Sequence, residues 1–91
     1  MDFDLKNRVA FVTGATSGLG RHFAKVLSNA GAAVAICGRR ADRLAVVRKE
    51  IETAGGTCAD VVLDVTDASR IELALDTVEQ ALGPVDILVN K

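Results

Sequence analysis

The sequence has no Trp and no Tyr, and its three aromatic residues are all Phe. Stacking platforms for single-stranded bases are therefore lacking. Chemistry that needs a tyrosine acid or base is absent from these residues. There is one His, His22, and two Cys, Cys37 and Cys58, with no CxxC pair. That set has no metal-ligand spacing, so no metal site is expected. Two cysteines in apolar settings read as buried free thiols rather than a disulfide framework. Neither sign of charge is in excess: 11 basic and 12 acidic residues give a net charge of −1. This removes the electrostatic case for a nucleic-acid or anionic-membrane partner. The longest nearly apolar stretch, Ala30 to Cys37, is far too short to span a bilayer. The N-terminus is polar and mixed in charge, unlike a signal peptide. A reduced, cytoplasmic protein is the expectation.

What is present is 49% hydrophobic over 91 residues. That is one domain at most, spanning 1–91. A chain this size buries roughly 60% of its unfolded surface, so a core forms with little margin. Val9 to Val12 is a short apolar run with β-branched residues, which predicts a buried strand. From Gly18 the spacing becomes helical, with Leu19, Phe23, Val26 and Leu27 on one face. Asn29-Ala30-Gly31 stops that helix. Ala33 to Cys37 reads as a second strand. Ala41 to Ala54 reads as a second helix, with Leu44, Val47 and Ile51 on its apolar side. Thr57 to Leu63 is a third strand, and Asp64 to Asp67 a polar turn. Ala68 to Leu82 is a third helix, carrying Ile71, Leu75, Val78 and Leu82, and Gly83-Pro84 ends it. Val85 to Val89 is a fourth strand. Apolar strands alternating with helices imply an α/β fold with a parallel, Rossmann-like sheet. Order 3-2-1-4 with flanking helices is the simplest doubly wound arrangement.

The segment Thr13-Gly14-Ala15-Thr16-Ser17-Gly18-Leu19-Gly20 joins the first strand to the first helix. Gly14 permits a sharp exit from the strand. Gly18 lets backbone approach a pyrophosphate, and Gly20 lets the helix pack closely on the sheet. The helix N-terminus then offers unpaired N–H groups and partial positive charge to phosphate. The hydroxyls of Thr16 and Ser17 add possible donors. No Lys of the G-x-x-x-x-G-K-[ST] type is present, which disfavours a nucleotide triphosphatase. His22 is expected on the solvated side of the helix. After the second strand comes Gly38, where an acid would receive a ribose hydroxyl, and then Arg39-Arg40. Guanidinium binds phosphate through paired hydrogen bonds, so NADP is expected, with NAD as the alternative. Asp42 fits the dipole of a helix start.

These residues resemble the short-chain dehydrogenase/reductase family. Thr13-Gly14, Gly18-Leu19-Gly20 follow its TGxxxGxG cofactor loop. Leu63-Asp64-Val65-Thr66-Asp67 resembles the segment after its third strand. There the resemblance puts Asp64 on the adenine amino group and Val65 beside the ring. Asp86 to Asn90 resembles the strand leading into its Asn-Asn-Ala-Gly motif, with Lys91 where the second Asn would stand. Arg39 matches the basic position of its NADP-preferring members. The resemblance implies the cofactor-binding part of an oxidoreductase acting on a carbonyl or alcohol. It also implies homo-oligomeric full-length relatives. The family's catalytic Ser, Tyr and Lys match nothing here, so no catalytic residue and no turnover are expected of this chain. The alternative is a non-catalytic dinucleotide-binding module or fragment. A different nucleotide- or S-adenosylmethionine-binding protein is disfavoured by Arg39 and Asp64. The apolar fourth strand is expected to be an edge through which the chain associates.

Overall fold

The structure is a computed structural model and describes residues 4–64 and 68–89. The elements are β1 (Val9–Thr13), α1 (Gly18–Asn29), β2 (Ala33–Gly38), α2 (Ala41–Thr53), β3 (Cys58–Val62), α3 (Ala68–Leu82) and β4 (Ile87–Val89). The strands form one parallel sheet in the order β3-β2-β1-β4. This is the Rossmann-like arrangement expected from the alternating pattern.

Side chains on a strand alternate between faces, and the core divides accordingly. Ala10 and Val12 of β1 join Val34 and Ile36 of β2 against Ala24, Leu44, Val47 and Ile51. Val9 and Phe11 join Ala35 and Cys37 on the other face, against Ala74 and Val78 of α3. β1 is buried along its whole length. Phe11 is fully buried, a contribution of about 1.5–3 kcal/mol. β3 lies at the sheet margin and is only partly covered beyond Cys58. Its Asp60 is half-buried and accepts a hydrogen bond from Arg48 of α2 at 2.7 Å.

Two expectations are corrected. The first concerns which face of α1 is buried. Gly20, Ala24 and Ser28 face the sheet, while Leu19 and Val26 are 48% exposed and Phe23 is 38% exposed. Only Leu27 of the expected stripe packs on the core. The reason is the closeness of α1 to the loop before it. A Cβ on Gly20 would lie 2.2 Å from the Gly14 carbonyl oxygen. Only small residues fit along that line, and the bulky ones are displaced to the side.

The second concerns β4, which begins at Ile87 rather than Val85. The Val9 N–H donates to the Asp86 carboxylate at 2.9 Å. The Asp86 N–H donates in turn to the Val9 carbonyl. A side chain thus substitutes for the first rung of the ladder. No helix among the described residues is long and apolar enough to cross a membrane.

Candidate functional site

The carboxyl ends of β1, β2 and β3 lie side by side, because Thr13 pairs with Cys37 and Gly38 with Val62. Each strand is followed by residues singled out in the sequence. The glycine loop follows β1, Arg39 and Arg40 follow β2, and Asp64 follows β3.

Gly14 leaves β1 with φ of 61°, a left-handed conformation suited to glycine. Its carbonyl is a hub. It accepts from the Ser17 N–H at 3.1 Å and from the Ser17 hydroxyl at 2.8 Å. The Ala15 N–H donates to the Cys37 carbonyl, which ties the loop to β2. Thr13 is buried, and its hydroxyl donates to the Val89 carbonyl at 3.3 Å. That bond fastens the end of β1 to β4.

Ser17 is the N-cap of α1 but makes no side-chain capping bond. The N–H groups of Gly18, Leu19 and Gly20 take no partner among the described residues. Three donors and the positive end of a twelve-residue helix therefore lie together at the start of α1. Gly18 adds an informative detail. Its φ is not in the left-handed region, and a Cβ built on it would meet nothing within 4 Å. Neither backbone conformation nor internal packing calls for glycine there. A Cβ there would stand in open space at the start of α1, and close approach of a pyrophosphate to the helix end is a reason for its absence.

Arg39 and Arg40 are exposed, and neither makes an ion pair among the described residues. Arg40 is the N-cap of α2, and Asp42 lies in the first turn. Gly38 is buried, and a Cβ there would touch Leu44 and the Thr16 methyl at 3.4–3.5 Å. Asp64 is exposed at the same end of the sheet. Val65 and Asn90 lie outside the described residues. His22 is exposed on the outer side of α1.

Arg21, the residue after the loop, does not face phosphate. Its Nε donates to Glu50 of α2 at 2.9 Å, and its second nitrogen also meets that carboxylate. The pairing raises the Arg21 pKa and lowers that of Glu50. This cross-tie between α1 and α2 was missed in the sequence, where nothing signals contact between residues so far apart. Asp86 was likewise read only as part of a resemblance. It receives the Val9 N–H and pairs with Arg8 at 3.5 Å, fixing the opposite end of the sheet.

The sequence pattern of the short chain dehydrogenases matches residues 8–91. A short chain dehydrogenase of Pseudocercospora fijiensis is 41% identical over 86 residues, which are 94% of this chain and 28% of that protein. A dehydrogenase/reductase from Sinorhizobium meliloti superposes with a TM-score of 0.95 and 43% identity, covering 99% of this chain and 36% of its own. The L-sorbose reductase of Gluconobacter frateurii, complexed with NADPH and L-sorbose, superposes with a TM-score of 0.92 and 30% identity. It covers all of this chain and 35% of its own. The chain thus spans about a third of the length of these proteins. By its loop, its strand order and these matches, it belongs to the short-chain dehydrogenase family.

Proposed function

We propose that the chain is the NADP(H)-binding amino-terminal part of an oxidoreductase that acts on a carbonyl or alcohol. The observation that carries this reading is Gly18, a glycine without internal cause in front of three unpartnered amides. The pyrophosphate would lie against the N–H groups of Gly18, Leu19 and Gly20. Gly14 and Thr13 shape and anchor the turn that aims them. Arg39, with Arg40 beside it, would take the 2′-phosphate, since both guanidinium groups are exposed and unpaired among the described residues. Asp64 and Val65 are assigned to the adenine, and Asn90 to the end of β4 near the ribose. The NADPH in the sorbose reductase complex supports the choice of NADP over NAD. When bound, the nicotinamide supplies or accepts a hydride. This chain holds the dinucleotide, and the proton-transfer groups lie in other residues. The buried free thiols favour a reducing, cytoplasmic location.

The test is fluorescence titration with NADPH and NADH, with Arg39→Asp as the variant. Loss of a charge-assisted contact to phosphate, about 1.5–3 kcal/mol, weakens NADPH roughly 10- to 100-fold. NADH is expected to change far less. Equal losses for both cofactors would defeat the 2′-phosphate assignment. A carbonyl panel with NADPH separates a binding part from a complete enzyme. The chain has no Tyr, and no turnover is expected from these 91 residues alone.

A further inference from the structure

A serine at a helix N-cap ordinarily accepts a hydrogen bond from the N2 or N3 amide. In α1 those amides belong to Leu19 and Gly20, the groups assigned above to the pyrophosphate. A capping Ser17 would therefore compete with the ligand for the same donors. The structure shows the other arrangement. The Ser17 hydroxyl turns back and donates to the Gly14 carbonyl at 2.8 Å, beside the Ser17 N–H bond to the same oxygen. No capping bond is made.

We infer that Ser17 is a positioning residue that keeps the first-turn amides of α1 open for the pyrophosphate by bonding back to Gly14. This rests on the cofactor reading above and deepens it. The Gly14 carbonyl is held in place for a separate reason. Gly14 has a left-handed φ, and its oxygen abuts the Cα of Gly20. A fixed acceptor lies within reach of the hydroxyl, so the hydroxyl proton has a partner without involving α1. The loop is then closed on itself before a ligand arrives, and less ordering remains to be done on binding. The space around Gly18 is open, so no protein atom among the described residues blocks approach to this side.

The experiment compares the wild-type chain with Ser17→Ala, Ser17→Thr and Ser17→Asn, titrating NADPH and NADH into each. Ser17→Ala removes one neutral hydrogen bond and is expected to weaken both dinucleotides equally, by roughly 2- to 10-fold. Ser17→Thr keeps the hydroxyl and restores wild-type affinity. Ser17→Asn is a strong N-cap and is expected to weaken binding more than Ala. Its signature in the ligand-free protein is slowed hydrogen exchange at the Leu19 and Gly20 amides, which exchange fast in wild type. Wild-type affinity in Ser17→Ala overturns the inference. So does a loss confined to NADPH, which would mark direct contact with the 2′-phosphate. So does tight binding by Ser17→Asn with protected amides. A wild-type chain that binds neither dinucleotide overturns the cofactor reading and this inference together, and is recognised by its wild-type failure.

Discussion

The two ends of the sheet handle their polar groups in opposite ways. At the carboxyl ends, three amides of α1 and the guanidinium groups of Arg39 and Arg40 have no partner among the described residues. At the amino ends, comparable groups are tied to one another. Val9 and Arg8 meet Asp86, Leu5 N–H donates to the Ala30 carbonyl, and Gly56 N–H to the Ile51 carbonyl. The amino end also holds a cavity of about 450 Å³, lined in part by Lys6, Arg8, Ser28 and Thr57. Size alone does not make it a cofactor site. The lesson lies in which groups are left open, and the open ones cluster where the strands end.

The glycines divide along the same line, and substituting them tests the division. Gly20→Ala is expected to have the largest effect. Its Cβ would lie 2.2 Å from the Gly14 oxygen and 2.8 Å from the Gly14 carbonyl carbon, and backbone cannot step aside cheaply. Overpacking of this kind costs about 1–3 kcal/mol or more. In a chain of this size that lowers the melting temperature by roughly 5–20 °C. Binding should be lost with it, because the same contact sets the angle of α1. A Gly20→Ala chain that melts like wild type would break the account of how the loop is shaped.

Gly56→Ala probes the amino end. Its Cβ would lie 2.1 Å from the Ser28 hydroxyl oxygen and 2.8 Å from the Ile51 side chain. Both atoms are bonded directly to the Cβ of a buried residue and the Ile51 carbonyl oxygen lies at 3.2 Å, so the loss falls in the same range, about 1–3 kcal/mol. NADPH affinity, measured well below the melting transition, should be unchanged. Gly18→Ala is the converse. Nothing lies within 4 Å of its Cβ, so the melting temperature should hold or rise slightly. NADPH binding should weaken about tenfold or more, a loss of about 1.4 kcal/mol. If Gly56→Ala weakens binding as much as Gly18→Ala does, the two ends are not functionally distinct.

Much of the architecture was legible from residue order. β1 and β2 are short apolar runs stopped by turn residues, and Gly31, Gly55 and Gly83 adopt the positive φ of helix ends. Leu44, Val47 and Ile51 point inward as their spacing requires. The buried face of α1 was not legible. Spacing arguments weigh bulk, whereas this helix is selected for smallness at Gly20, Ala24 and Ser28. The displaced stripe of Leu19, Phe23 and Val26 is only partly covered among the described residues. The position of the loop was also readable, and separate uses were expected of Gly14, Gly18 and Gly20; that Gly20 would press on the Gly14 carbonyl was not readable. Gly18 and Gly20 are the same letter, one open in front and the other jammed against a carbonyl. The direction of the Ser17 hydroxyl depends on where Gly14 places its oxygen, which is a tertiary fact.

The smallest expected effect concerns two buried thiols, Cys37 near the carboxyl end of β2 and Cys58 at the start of β3. Burial pushes the Cys37 thiol up to about 11 and the Cys58 thiol up to about 12, from an ordinary value of 9.0. Asp60 and Glu52 add to the Cys58 shift, and Arg48 opposes it. In the unfolded chain both thiols lose their protons near pH 9, while the folded chain retains them. The unfolded state then binds fewer protons, so stability falls as pH rises. This contribution is complete below pH 9 and declines from there until the folded thiols titrate. Urea unfolding at pH 8, 9.5 and 10.5 should show a falling midpoint. Cys58→Ala and Cys37→Ala should each flatten that decline to a similar extent, because both folded thiols stay largely protonated over this range. Lysines also titrate in this range, so the comparison is between the slopes of the variants, not between absolute midpoints. Equal slopes in wild type and both variants would show that neither thiol is held neutral by the fold.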